Sequence, residues 1–294
     1  MSLSSKCLLA ALGGSGVLLG ACMSQGELEP VDPVTTIGHD DTVVTSTAPV
    51  AQEEEEQTVA LKLPPDAAEG SVLARAPIQT GSAQVEVEVI TRDGGEVVVT
   101  TGRDDELVLD LPHYEKEDDT PPRAIVRVTP PAQGSDPLAP GDADFTFGAE
   151  FRIDTESKGN EVDNGDNLIQ RGLASDPSQY KLELDGDRAA CRVRGAEGDV
   201  QVKLDKKVVP GSWYAVTCSR AGELVQITLT EYGPEDRTDE YSVDQAGATG
   251  AMTWPKAQTP MSVGGKLAAN GEMIRSATDQ FNGLVSKPFL SIDD

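Results

Sequence analysis

Short runs that alternate apolar and polar residues dominate the chain from about residue 61 onward, and they limit what it can fold into. QVEVEVIT (residues 84–91) alternates strictly, RDGG supplies turn chemistry, and EVVVTT returns, the pattern of a β-hairpin. ELVLDL (106–111), RAIVRVT (123–129) and FTFGAEFRID (145–154) follow. YKLELDGDRAACRVRG (180–195) reads as two arms joined through Asp185, Gly186 and Asp187, and DVQVKLD, WYAVTCSR and LVQITLTEY come after it. A period of two sets one side of each strand on a core and the other in water. No dozen residues keep apolar positions at helical spacing between caps. With 29 glycines and 19 prolines punctuating the runs, the expected fold is all-β, one large antiparallel sandwich over residues 61–294.

The N-terminus follows other rules. Lys6 precedes CLLAALGGSGVLLGA (7–21), and no further charge occurs before Glu27. This is the three-part layout of a secretory signal peptide. With Gly13, Gly14, Gly16 and Gly20 it is too short and too glycine-rich for a spanning helix of roughly 20 apolar residues. LGAC (19–22) resembles the bacterial lipobox. The resemblance implies that residues 1–21 are removed and that Cys22 becomes the first residue, with a diacylglyceryl group attached to its thiol. Each buried methylene contributes about 0.8 kcal/mol, so several chains make a lasting anchor. The expected location is therefore extracytoplasmic, in the cell envelope, with the membrane as a partner through the lipid.

Residues 22–60 mix Pro, Thr, Asp and Glu, lack aromatics and show no periodicity, so they read as an acidic disordered tether. Glu53–Glu56 repel one another and keep it extended, which holds the body a few tens of ångströms from the membrane. Of four cysteines, Cys7 lies in the signal and Cys22 is the lipid site, which leaves Cys191 and Cys218 as a disulfide of an exported protein. The formal charge of −26 argues against nucleic acid as a partner.

FTFGAEFRID, NLIQRG (167–172), YKLELDGDRAACRV, VVPGSWYAVTCSRAGELVQITLTEYG, MSVGG (261–265) and FNGLVSKPFLSI (281–292) occur in an order that resembles the strands of a laminin-G-like domain. That family belongs to the concanavalin A-like lectin and glucanase jelly rolls, and the resemblance runs from about residue 144 to 292. It implies a jelly-roll sandwich and a binding role, with carbohydrate or a surface protein as ligand. The alternative is a non-catalytic structural or assembly component of the envelope. Aromatics grouped on one sheet face favour sugar, whereas a wholly charged face favours the structural role.

Several residues invite a role. Asp163 and Asp166, with Asn164 and Asn167, offer oxygen ligands to Ca²⁺, the sole cofactor candidate; the same residues also read as an Asx-rich turn. Trp254, in the loop MTWPKAQTP, is a candidate contact for a sugar ring, although loop tryptophans more often pack against their own domain. Trp213, Ala215 and Thr217 share a strand face expected to be core, and Phe281 and Phe289 are expected to pack. Arg188, Arg192 and Arg194 share one face and are expected to pair with carboxylates. No strand carries the Glu-x-Asp-x-x-Glu pattern of the related glucanases. His39 and His113 have no Gly-x-Ser-x-Gly motif to serve, so no enzymatic activity is expected.

Overall fold

The computed structural model describes residues 42–46, 58–73, 78–114, 120–155, 165–254, 258–274 and 279–293. All of them belong to the second of two units, His39–Asp294. The strands are β1 (Thr42–Ser46), β2 (Val59–Lys62), β3 (Ile78–Thr80), β4 (Glu86–Arg92), β5 (Val98–Thr101), β6 (Leu107–Asp110), β7 (Arg123–Thr129), β8 (Phe145–Ile153) and β9 (Asp166–Arg171). They continue as β10 (Gln179–Asp185), β11 (Arg188–Arg194), β12 (Asp199–Lys207), β13 (Tyr214–Ala221), β14 (Leu224–Tyr232), β15 (Thr238–Ala246), β16 (Met261–Val263) and β17 (Gly283–Ile292). Ten form one sheet, in the order β1-β15-β14-β13-β8-β17-β2-β3, with β6 also on β17 and β5 on β6. Seven form the other, in the order β12-β11-β10-β9-β16-β7-β4. The expected all-β antiparallel sandwich of the jelly-roll class is the architecture observed. No helix among the described residues is long and apolar enough to cross a membrane.

Alternation builds the core. On β8, Phe145, Phe147, Ala149, Phe151 and Ile153 turn inward and are buried, and on β10 Tyr180, Leu182 and Leu184 meet them from the other sheet. Phe147 and Tyr180 lie 5.1 Å apart, and Phe151 stacks on Tyr214 at 5.5 Å. Fully buried aromatics of this size contribute several kcal/mol each. Cys191 of β11 and Cys218 of β13 are bonded, with Cα atoms 6.0 Å apart, so the disulfide joins the two sheets directly. Closing a loop of 27 residues contributes about 3 to 4 kcal/mol in the chain-entropy description.

The β10–β11 hairpin turns where expected, with Asp185 opposite Arg188 and Gly186 at φ 72°. The expected hairpin at RDGG does not form. β4 pairs instead with β7, while β5 pairs with β6 in the other sheet, so RDGG carries the chain from one layer to the other. A Cβ on Gly95 would lie 2.2 Å from the Arg123 carbonyl oxygen, so only glycine passes this crossing. The face expected to be core on β13 is also reversed. Tyr214, Val216 and Cys218 are buried, whereas Trp213, Ala215 and Thr217 are half-buried on the outer side. The disulfide sets this choice, because Cys218 must face β11 across the core. The sandwich begins before residue 61, since Val59 and Ala60 are buried in β2. Within the stretch read as a tether, the uncharged run TVVTS forms β1, paired antiparallel to β15.

Candidate functional site

The sandwich has two outer faces, and they differ. On the seven-stranded sheet, charges answer charges. Arg192 Nε donates to Asp199 Oδ1 at 2.8 Å, Arg194 Nη2 reaches Asp199 Oδ2 at 2.6 Å, and Arg188 donates to the Asp205 carbonyl. The bonds from Arg192 above all, then those from Arg194, pull the Asp199 carboxyl down to about 2. Lys203 pairs with Asp185 at 2.7 Å and Lys207 with Asp187 at 2.6 Å. Arg192 and Arg194 pair with a carboxylate as expected, whereas Arg188 bonds a backbone carbonyl and lies 3.9 Å from the Asp187 carboxylate.

On the outer face of the ten-stranded sheet, hydroxyls and rings stand among charged residues such as Glu150, Glu240 and Asp244. Strand register aligns Phe289 with Gly148, Gly148 with Thr217, Thr217 with Thr228, and Thr228 with Ser242, an uncharged row across five strands. Gly148 is the pivot. A Cβ there would lie 2.4 Å from the Val216 carbonyl oxygen and 3.0 Å from both Phe289 Cε1 and Thr217 Cγ2, so the Phe289 ring occupies the space above the glycine. Phe289 packs as expected, but half-buried on the outer side, whereas Phe281 is fully buried in the core. A ring half-buried on the outer side of a sheet, beside hydroxyl groups, is suited to the apolar face of a sugar.

One side of this row is bounded by a bar of charged groups. The tip of the β5–β6 hairpin bends over the sheet, with Asp104 at φ 57° and Asp105 at φ 59°. At its entry a Cβ on Gly102 would lie 3.2 Å from Trp213 Cζ2. The Arg103 guanidinium lies 3.9 Å above the Tyr232 ring and 3.6 Å from Glu150. Tyr232 donates to Glu150 at 3.4 Å. Lys287 reaches Glu106 at 2.8 Å and Glu150 at 3.3 Å. It stands at φ 49° in a bulge of β17, where the sheet forks: β6 pairs before the bulge and β2 after it. Burial raises the Tyr232 phenol. Burial works against the Lys287 charge, but its two carboxylate partners outweigh it and hold the ammonium above its ordinary value. Beside the Phe289 ring the bar offers both donors and acceptors to a polyhydroxylated ligand.

At the base of the same hairpin His113 Nδ1 lies 2.5 Å from Asp154 Oδ2. The hydrogen bond to Asp154 raises the imidazole, and burial raises the carboxyl of neighbouring Asp110.

The residues singled out in the sequence have mixed fates. Cys22 and Asp163 lie outside the described residues. Asp166 is buried at the start of β9, opposite Leu184. Among the described residues no three His, Cys, Asp or Glu side chains are disposed to hold a metal ion. Trp254 is not an exposed sugar platform: it is 8% exposed and sits edge-on to Tyr180 at 5.7 Å. The guanidinium of fully buried Arg171, held by Asp136 and the Thr259 carbonyl, covers its ring at 4.0 Å. The loop folds the indole inward because Arg171 and Tyr180 offer it more contact than water does. Phe289, Gly148, Arg103, Glu150, Tyr232 and Lys287 went unread as a set, because only strand register brings them together.

No protein-family model matches the chain, and no curated protein matches it. Among solved structures it is similar to the LG1-3 region of the laminin alpha2 chain, at 12% identity over 74% of this chain and 37% of that one, with a TM-score of 0.42. It is also similar to the botulinum neurotoxin serotype D binding domain, at 11% identity over 81% of this chain and 49% of that one, with a TM-score of 0.48. A third is the native heptameric SAP-like pentraxin from Limulus polyphemus, at 10% identity, 53% and 68% coverage and a TM-score of 0.34. The chain spans less than half the length of the first two. At these levels none of the three bears on ligand or activity.

Proposed function

We propose that the protein is a lipid-anchored, extracytoplasmic binding protein that recognises carbohydrate on the outer face of its ten-stranded sheet, without catalysis. The observation that carries this reading is the Phe289 ring laid over Gly148 in an uncharged hydroxyl row and flanked by the Arg103–Glu150–Lys287 bar. Stacking on the ring supplies affinity, and the donors and acceptors of the bar select hydroxyl positions. The inter-sheet disulfide supports export, since such bonds persist in oxidising compartments. The lipobox-like LGAC supports acylation at Cys22.

Two experiments test the reading. A glycan array probed with the chain carrying Cys22→Ser, with and without a calcium chelator, reads the ligand; the expected signal is chelator-independent and lost in Phe289→Ala. Mass spectrometry of the membrane-extracted protein reads the anchor, with an acylated N-terminal Cys22 expected. Absence of every glycan signal removes the binding reading, and an intact residue 1–21 segment removes the anchor.

A further inference from the structure

Alternation puts Thr217 and Thr228 on the outer side of the ten-stranded sheet, because Val216, Cys218, Ile227 and Leu229 beside them fill the core. Ser242 stands outward in the same way, since Tyr241 and Val243 pack against the core. Strand register sets these three in line with the Phe289 ring over Gly148, one position on each of the neighbouring strands β8, β13, β14 and β15. Neighbouring strands lie about 4.8 Å apart, so the three steps from Gly148 to Ser242 cover about 14 Å. One step is close to the length of a pyranose unit in an extended, equatorially linked chain. Sheet twist turns successive strands about an axis that runs across them, by roughly 20 to 25° a step, so a row along that axis stays straight while the strands turn beneath it. Each threonine or serine hydroxyl can both donate and accept, and threonine adds a methyl group beside it. The row thus repeats one kind of contact at the repeat of a linear sugar chain. Its far end also has a charge preference, because Glu240 and Asp244, both exposed, flank Ser242 on β15.

We infer that the ligand is a single neutral polysaccharide chain that lies across the strands, with one sugar on the Phe289 ring and the next three over Thr217, Thr228 and Ser242. The inference rests on the carbohydrate reading and adds to it the ligand's length, direction and charge. A terminal monosaccharide touches only the ring and the bar of charged groups beside it; the hydroxyls beyond the ring are what select a chain. Uronic or sulfated chains are opposed by Glu240 and Asp244 at the far end, and by the formal charge of −26 over the whole molecule. The contacts are graded along the row. The ring end binds the first sugar of any length of chain, while Thr228 meets only chains that reach a third sugar and Ser242 only those that reach a fourth.

Calorimetric titration of the chain carrying Cys22→Ser reads affinity against length, with β-1,4-linked glucose, mannose and N-acetylglucosamine oligomers of one to six units and galacturonate oligomers of the same lengths as probes. At least one neutral series is expected to bind, with affinity still rising at the fourth unit, and the galacturonates are expected to bind about tenfold more weakly or not at all. Ser242→Ala is expected to weaken binding of four or more units about threefold and to leave the three-unit oligomer unchanged. Thr228→Ala weakens the three-unit oligomer as well, and Phe289→Ala weakens every length. A neutral sugar bound as tightly at one unit as at four overturns the inference and keeps the carbohydrate reading, as does tighter binding of the galacturonates. Silence of every neutral series also overturns it, and the glycan array then separates the two readings: signals confined to short or branched termini keep carbohydrate recognition, whereas an empty array removes both.

Discussion

The two outer faces of the sandwich obey the same strand period and carry opposite chemistry. On β11 and β12 most outward positions are arginine, lysine and aspartate, with Gln201 and Ala190 among them, and Arg192, Arg194 and Lys203 are each paired with an aspartate. On β8, β13 and β14 many are threonine, serine and glycine, with rings at the margins. Period sorts each strand's residues into two sets without saying which set faces out, and composition says which outer face has capacity left for a ligand. The two tryptophans divide the same way. Trp254 serves the interior between Tyr180 and Arg171, while Trp213 lies on the outer side beneath the hairpin tip.

Substitutions should separate these regions. Trp254→Ala removes a buried ring and leaves Arg171 without its cover, and is expected to cost about 3 to 5 kcal/mol in chemical denaturation. A loss as small as that of Trp213→Ala would erase the distinction between the two. Replacing Cys191 and Cys218 by serine should cost about 3 to 4 kcal/mol, read as a lower denaturation midpoint. Gly148→Val drives a side chain against the Val216 carbonyl and is expected to cost about 1 to 3 kcal/mol while displacing the Phe289 ring. Glycan binding should fall with it.

The smallest effects concern charge. Because the folded-state value of Asp199 is lowered to about 2, its pairing stabilises the protein above the ordinary carboxylate range and is lost as pH falls towards that value. For so exposed a pair the size is about 0.2 to 1 kcal/mol, and Asp199→Asn should flatten that acid limb. His113 behaves oppositely. Its raised value means a contribution present below the ordinary imidazole range and lost as pH rises through the folded value. Thermal melts of His113→Asn against pH should lack that step.

Strand identity was legible because alternation is local, and so was the disulfide, because only two body cysteines remain after the export segment. One clue lies in the sequence itself. Cys218 shares its parity with Tyr214 and Val216, so a bridge between sheets already places Trp213 outside. By contrast, RDGG is a good turn whether it joins neighbours or crosses layers, and only Gly95 meeting the Arg123 backbone decides. The candidate face was not legible, because its row is assembled from β8, β13, β14, β15 and β17, and register between distant segments leaves no local mark. Trp254 packs against its own domain, the commoner fate of a loop tryptophan, but the residues that bury it, Tyr180 and Arg171, lie far off in sequence.

The most direct test compares glycan affinity of three chains: unsubstituted, Phe289→Ala and Arg192→Ala. Loss of about tenfold in Phe289→Ala, with Arg192→Ala unchanged, is the expected result. Equal affinity in Phe289→Ala, or loss in Arg192→Ala instead, would place recognition elsewhere and contradict the account.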